Sequence, residues 1–132
     1  MQASGADVRE VSLLPTILAA AIAIRKRFEG EPKQVMAACF GRYRWLKLCV
    51  VVDEDVDALD VGDVWWAIAT RSRLGDGVMH LTGVAGFPRD PHGLHTAKLG
   101  IDATIPLGQW AEYERKRPPG HGRVRLDDFL DS

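Results

Sequence analysis

The acidic run after residues 48–52 is the first part of this sequence whose residue types could do chemistry. An apolar stretch there leads into Asp53, Asp55 and Asp57, a pattern typical of a metal-binding strand end in nucleotide hydrolases and of the start of a calcium loop. The first interpretation requires a glycine-rich phosphate loop, and the second requires a glycine and a glutamate further along, and the sequence provides neither. We therefore predict that these carboxylates bind loop amides and complement the N-terminus of the next helix.

Histidine and cysteine side chains offer two further kinds of chemistry. The chain has four histidines, His80, His92, His95 and His121, and two cysteines, Cys39 and Cys49. Two of the histidines have a spacing compatible with a metal, but no third ligand is evident, so we expect no metal site. Both cysteines lie among apolar residues, which indicates buried, inert thiols and a reducing, cytoplasmic location. We assign no catalytic residue.

Composition limits the classes of protein to which the chain can belong. Its 132 residues suit one domain, 46% of them are hydrophobic, and the formal net charge of −1 argues against nucleic-acid binding. The longest apolar stretch, residues 17–24, is too short to span a bilayer, so we expect no membrane segment. We predict a single domain over residues 1–132, with a flexible start at residues 1–7 and a short helical tail at residues 121–132.

The elements that must position these side chains alternate between strand and helix. Residues 8–14 predict an edge strand, and residues 16–28 are apolar on both faces, as in a buried strand or a buried helix. A helix follows Pro32, and the β-rich run at residues 46–52 predicts a central strand. Asp60 is a candidate N-cap for a second helix, with Val61, Val64, Trp65 and Ile68 as its apolar stripe. Arg71 and Arg73 then lie where a helix C-terminus favours cations.

The second half of the chain is less regular. Residues 78–81 predict a short strand, residues 83–100 a long ordered loop rich in glycine, proline and histidine, and residues 100–107 one more short strand. Adjacent tryptophans on the second helix point about 100° apart, so one can enter the core while the other faces outward. Either Trp66 is an interface anchor or both Trp65 and Trp66 belong to the core, and both interpretations remain open.

Several stretches, taken together, resemble the C-terminal third of UbiD-family decarboxylases. They are IRKRFEGEPKQ at residues 24–34, VVVDEDVD at 50–57, WAIATR at 66–71, TAKLGIDAT at 96–104 and YERKRPPG at 113–120. The order and spacing of the set are specific, although no single piece is diagnostic. The resemblance implies a strand within residues 16–28 and a three-layer α/β/α domain with a mixed, partly parallel sheet, which drives oligomerisation in the family.

The resemblance also implies where the cofactor lies. In full-length family members an N-terminal domain binds prenylated FMN, a divalent metal such as manganese, and potassium, and it supplies the catalytic arginine and two acidic residues. This sequence matches only the C-terminal part, so we expect those groups on a flavin-binding partner chain and none on this one. A family loop over the substrate resembles residues 83–91, which makes Phe87 and Arg89 candidates for a substrate-pocket wall, unless the loop is only a domain contact. Trp66 and Phe129 are our interface candidates.

Three hypotheses follow for function. The first is a small subunit or separate domain of a prenylated-FMN-dependent carboxy-lyase that acts on an aromatic or α,β-unsaturated acid and is not catalytic alone. The second is a non-catalytic interaction or regulatory protein that forms homo-oligomers. The third, weaker hypothesis is a small-ligand binding module that uses the glycine-rich loop.

Overall fold

The fold is a five-stranded sheet with helices on both faces. The computed structural model describes residues 5–13, 18–84 and 96–114. In chain order the elements are β1 (Asp7–Leu13), β2 (Ala19–Arg25), α1 (Glu31–Arg42), β3 (Leu48–Asp53), α2 (Val61–Arg71), β4 (Val78–Val84), β5 (Thr96–Ala103) and α3 (Trp110–Tyr113).

The sheet is parallel in its middle and antiparallel at both edges. Its strand order is β1-β2-β3-β5-β4. The three inner strands β2, β3 and β5 run parallel, with Ala21 opposite Val50 and Val50 opposite Ile101. The edge strands β1 and β4 pair antiparallel with β2 and β5. The predicted mixed, partly parallel sheet is thus confirmed, with β1 at an edge and β3 in the centre.

Alternate residues of the inner strands supply two separate cores. On one face, α1 packs against the side chains of Ala20, Ile22, Cys49 and Val51 among others. On the other face, α2 packs against a second cluster built on Ala21, Ala23, Val50, Val52 and Ala103. Since successive strand residues point to opposite faces, a strand between two helices must be apolar at every position. The three-layer α/β/α arrangement is therefore confirmed, and so is the strand within residues 16–28.

Local sequence explains where both long helices begin. Gly30 precedes α1 with φ at 87°, in the left-handed region that glycine adopts readily, and Pro32 lies in the first turn. Asp60 caps α2 as predicted, because its Oδ1 accepts hydrogen bonds from the amides of Gly62 at 2.9 Å and Asp63 at 3.3 Å.

Three predictions about local structure are wrong in part. The loop predicted for residues 83–100 extends too far at both ends, because β4 continues to Val84 and β5 already begins at Thr96. The strand predicted at residues 100–107 ends at Ala103. The apolar stripe predicted for α2 fails at Val61 and Trp65, which are 41% and 64% exposed. It is confirmed at Val64, which is buried together with Ala67, and at Ile68, which packs against the α2-side core.

Other expectations are only partly covered by the described residues. Ala6 is buried in the α1-side core and Asp7 begins β1, while residues 1–4 of the predicted flexible start lie outside the described residues. The tail predicted at residues 121–132 lies outside them as well. Within the described ranges, no helix has the length and apolar character needed to cross a bilayer.

Candidate functional site

An open apolar groove lies on the α1 side of the sheet among the described residues. It has a volume of about 700 Å³. Its walls come from β1, β2 and the segment after α1, and include Val11, Leu13, Ala20, Ile22, Tyr43 and Trp45. Leu13 is 57% exposed and Trp45 is 49% exposed, so the groove presents large apolar side chains to the surface. We call this feature the β1 groove.

A buried lysine fixes one wall of the β1 groove. Lys98, on β5, is only 3% exposed. Its ammonium donates hydrogen bonds to the main-chain oxygens of Arg44 at 2.7 Å and Leu46 at 2.5 Å. Burial lowers the pKa of Lys98, but the two carbonyl acceptors replace part of its lost hydration. The segment that carries Trp45 is therefore tied to the sheet by its main chain, and its exposed side chains are displayed from a fixed position.

The carboxyl ends of the parallel strands hold a buried ion-pair cluster. Arg71, in the last turn of α2, donates to Asp53 Oδ2 at 3.1 Å and pairs with both oxygens of Asp55 at 2.7 and 2.8 Å. Its guanidinium lies 4.9 Å from the ring centroid of Trp66 and 5.7 Å from that of Trp110. The Arg71 cluster therefore joins β3, α2 and α3 through a single guanidinium.

Electrostatics within the Arg71 cluster are dominated by burial. Asp53 is 4% exposed and also accepts a hydrogen bond from the Ile105 amide at 2.9 Å. Burial raises the pKa of Asp53 to about 6, although the Ile105 amide and the positive charge of Arg71 both act in the opposite direction. Burial likewise opposes the charged form of Arg71, but the hydrogen bonds and charges of Asp55 and Asp53 raise its pKa overall.

A small polar cleft lies beside this cluster, and the charged side chains that line it already have partners within the chain. It has a volume of about 270 Å³, and Lys26, Glu29, Lys33, Arg73 and Asp76 line it. The Lys26 ammonium pairs with Glu29 at 2.8 Å, and the pKa of Glu29 is lowered by that contact and by a hydrogen bond from the Leu107 amide. Lys33 donates to the Asp76 carbonyl at 2.6 Å. These charged groups already bind one another or the main chain. We therefore interpret the cleft as a structural feature and not as a binding site.

The described residues do not fit a flavin or a metal ion. Across residues 5–13, 18–84 and 96–114, no three His, Cys, Asp or Glu side chains are grouped so that they could hold a metal. The polar cleft is too small for a flavin, and the β1 groove is lined mainly by apolar side chains with no carboxylate among them. We therefore derive no step of chemistry through either group on this chain.

The structure describes some of the residues predicted for an interface, a pocket wall or loop contacts, and others lie outside the described part of the chain. Trp66 is half-buried against the α2-side core, whereas its neighbour Trp65 faces outward. Trp66 as an interface anchor stays a prediction. Phe87, Arg89 and Phe129 lie outside the described residues, and their predicted roles remain predictions. The interpretation of the acidic run as ligands for loop amides is confirmed at Asp53 and Asp57, which accept from the amides of Ile105 and Leu59.

Sequence reasoning missed two features of the site. Arg71 was expected to complement a helix C-terminus, and its pairing with Asp53 and Asp55 was not foreseen. The β1 groove was not foreseen either, because its walls come from segments separated in sequence. The Arg71 pairing could have been predicted, because three acidic residues after a central strand leave a buried charge that a nearby arginine can balance.

The geometry defines an α/β layer domain with an open apolar groove and a closed polar edge, and comparisons with known proteins assign its family. Residues 2–103 match the family described as the 3-octaprenyl-4-hydroxybenzoate carboxy-lyase (UbiD) C-terminal domain. The chain therefore belongs to the UbiD C-terminal domain family, as the resemblance in the sequence indicated.

Curated relatives are decarboxylases that are much longer than this chain. It is 42% identical over 118 residues to the anhydromevalonate phosphate decarboxylase of Aeropyrum pernix, covering 86% of this chain and 27% of the relative. It is 41% identical over 101 residues to the enzyme of the same name from Methanothermobacter thermautotrophicus, covering 74% of this chain and 24% of the relative. The chain thus spans about a quarter of the length of these relatives.

A solved structure shows the same domain inside a larger enzyme. The UbiD-class enzyme HmfF from Pelotomaculum thermopropionicum, in complex with FMN, superimposes with a TM-score of 0.79 at 37% identity. The match covers 93% of this chain and 29% of that chain. The HmfF chain in complex with FMN is thus more than three times as long as the part of it that matches this domain.

Proposed function

We propose that this domain is the assembly part of a UbiD-type decarboxylase whose flavin-binding part lies on a partner chain. The observation that carries the proposal is the β1 groove, an exposed apolar surface on a domain whose relatives include decarboxylases and a UbiD-class enzyme in complex with FMN. Large apolar side chains grouped around one open concavity are a common feature of interaction sites.

The partner in this proposal carries prenylated FMN, with manganese and potassium, and the joint substrate is an aromatic or α,β-unsaturated carboxylic acid. Prenylated FMN would supply the electron sink for loss of carbon dioxide. This chain would contribute assembly and, through Phe87 and Arg89, a wall of the substrate pocket. The two free, buried cysteines support a cytoplasmic location.

Purification from the native host tests this proposal directly. We expect the tagged chain to co-purify with a flavin-containing polypeptide, and the recombined pair to decarboxylate at least one acid from a panel of aromatic and α,β-unsaturated acids. The chain alone is expected to be inactive on the same panel. Recovery of the chain without any flavoprotein, together with no gain of activity when a flavin-domain polypeptide from the same host is added, would contradict the proposal.

A second candidate function rests on the edge strand. The outer edge of β1 is unpaired in the described sheet, and Val11 and Leu13 beside it are 42% and 57% exposed. Such an edge can pair with another copy of itself, which supports the alternative of a non-catalytic, homo-oligomerising interaction protein. Native mass spectrometry of the host complex separates the two, because a homo-oligomer contains only this chain.

A further inference from the structure

A crevice of about 210 Å³ lies at the carboxyl ends of β2 and β3. The chain leaves β2 toward α1 on one face of the sheet, and it leaves β3 toward α2 on the other face. The carboxyl ends of two such strands are the place where open α/β sheets bind ligands. In this chain one wall of the crevice is the segment after β5, which includes Ile105, Leu107 and Trp110. The chain's own segment therefore lies where a ligand would enter.

Ile105 fixes the inner end of this segment. Its side chain is 3% exposed. Its amide donates a hydrogen bond to Asp53 Oδ2 at 2.9 Å, and its carbonyl oxygen accepts one from the Lys26 ammonium at 3.2 Å. The side chains of Asp53 and Lys26 are themselves only 6% and 5% exposed. Because hydrogen bonds to charged groups are strong where water is excluded, the main chain at Ile105 is held firmly.

Residues 107–114, which we call the strap, are held much less firmly than Ile105. No residue of α3 is buried, and Leu107 and Trp110 are 45% and 42% exposed, so the strap buries little apolar surface. Within the strap, the Glu114 amide donates to the Trp110 carbonyl at 2.7 Å. Segments with few buried apolar contacts are the ones that open at low free energy, and the internal hydrogen bond favours movement of the strap as one piece.

Glu29 and Arg71 hold the strap to the rest of the described domain, and both contacts are weak. The Leu107 amide donates to Glu29 Oε1 at 2.7 Å, but the Glu29 side chain is 55% exposed, so water competes for it. The Tyr113 carbonyl accepts from Arg71 Nη2 at 3.4 Å, which is long for a hydrogen bond. The Arg71 guanidinium lies 5.7 Å from the ring centroid of Trp110.

We propose that the strap opens as a unit, pivoting just after Ile105, and gates the crevice between β2 and β3. Opening removes Leu107 and Trp110 from the wall of the crevice, so that Asp53 and Arg71 face solvent. The closed form covers these two groups with the chain's own main chain and tryptophan ring. The open form offers a carboxyl and a guanidinium to a polar ligand at the edge of the sheet.

Native-state hydrogen exchange of the full chain, followed by NMR, tests the proposal. The amides of Leu107 and Ile105 both donate to a carboxylate, but only the first lies in the strap. After correction for intrinsic rates, we expect the Leu107 amide to exchange at least about tenfold faster than the Ile105 amide. Equal protection of the two amides would mean that the strap opens only when the end of β5 unfolds, which would overturn the proposal.

Two matched variants test whether the strap moves as one piece. Glu29→Ala removes the contact to Leu107, and we expect exchange of the Leu107 amide and of the fully buried Arg71 Nε–H to rise together, by at least about fivefold. The control is Glu54→Ala, which lines the same crevice, is 46% exposed and pairs with Arg9 at 3.5 Å. A change of less than about twofold is expected there.

Two results with these variants would overturn the proposal. One is faster exchange at Leu107 in Glu29→Ala with no change at Arg71 Nε–H, because the strap would then fray locally and leave the crevice closed. The other is an equal effect of Glu54→Ala and Glu29→Ala. The comparison of Leu107 with Ile105 in the wild type stands even if a variant fails to fold.

Discussion

At the residue scale, Arg71 joins several polar and aromatic contacts of the described residues. Its guanidinium is buried, pairs with Asp53 and Asp55, and lies between the rings of Trp66 and Trp110. Its Nε has no hydrogen-bond partner among the described residues. A guanidinium in this setting stabilises only while its two carboxylates are in place, since a buried charge without a partner is costly.

Replacement of Arg71 with alanine is expected to lower the free energy of unfolding by about 3–5 kcal/mol, because it leaves the buried carboxylate of Asp53 and the partly exposed one of Asp55 without their cation. Urea unfolding followed by circular dichroism measures the change. The matched control is Arg73→Ala, whose side chain is 68% exposed and pairs with the exposed Asp76 across a gap of 3.4 Å. A change of about 0.5 kcal/mol or less is expected there. Equal effects of the two substitutions would contradict a structural role for the Arg71 cluster.

The raised pKa of Asp53 makes its contribution to stability depend on pH. A carboxyl whose folded-state pKa of about 6 exceeds the ordinary 3.8 stabilises the fold when protonated, and this contribution is lost as pH rises through about 6. Asp53→Asn cannot titrate, so the stability of the wild type relative to this variant should fall by up to about 3 kcal/mol between pH 4 and pH 7.

Urea midpoints at four pH values between 4 and 7 measure this difference. Asp76→Asn, in an exposed turn, corrects for the loss of one negative charge. A difference that instead grows with pH would mean that Arg71 holds the folded-state pKa of Asp53 below its ordinary value.

At the scale of elements, the close approach of α1 to β5 depends on a glycine. A Cβ at Gly100 would meet the Sδ of Met36 and would lie 3.1 Å from its Cγ. Gly100→Ala is therefore expected to cost about 1–3 kcal/mol, because Met36 or the helix must move. Gly41→Ala is the control, since nothing lies within 4 Å of a Cβ there. A neutral or slightly stabilising effect is expected for it in a thermal melt, because alanine favours helix over glycine.

Some strands and helices could be predicted from the sequence, and others could not. The strands β2 and β3 were predictable because burial on both faces leaves an uninterrupted apolar run, and α2 was predictable from Asp60. The start of β5 was missed because glycine, proline and histidine nearby favour a loop, whereas pairing with β3 and β4 overrides that local preference. The α2 stripe was misassigned at Trp65 because periodicity alone does not say which of two adjacent tryptophans meets the core.

The candidate site was less predictable than the fold. The β1 groove combines residues 11–13, 20–22 and 39–46, whose proximity follows from the antiparallel pairing of β1 with β2 and from the position of α1 above them. Distances of this kind follow from topology, and no local spacing in the sequence encodes them. The Arg71 pairing similarly joins residues 53 and 71, which only the packing of α2 onto the sheet brings together.

At the scale of the whole molecule, the β1 groove is the surface through which we expect a partner to bind. Trp45→Ala is predicted to weaken association with the flavin-domain chain by at least tenfold, because exposed aromatic anchors carry much of the affinity of an interface. Isothermal titration calorimetry with the purified partner measures the dissociation constant.

Trp65→Ala is the matched control for that measurement, since Trp65 is similarly exposed but lies on α2, on the opposite face of the sheet. Its effect is expected to be less than threefold. If Trp65→Ala or Trp66→Ala weakens binding more than Trp45→Ala does, the partner binds the α2 face and the groove is not the interface.

The antiparallel edges around a parallel centre also bear on how the chain folds. β1 with β2 and β4 with β5 are pairs of strands that follow one another in the chain, and each pair is antiparallel, whereas β3 must join a strand from each pair. Contacts close in sequence form at lower entropic cost and therefore earlier. We therefore expect the two outer strand pairs to form early in folding and β3 to join them late. Pulse-labelled hydrogen exchange should find amides of β1 and β4 protected before those of β3.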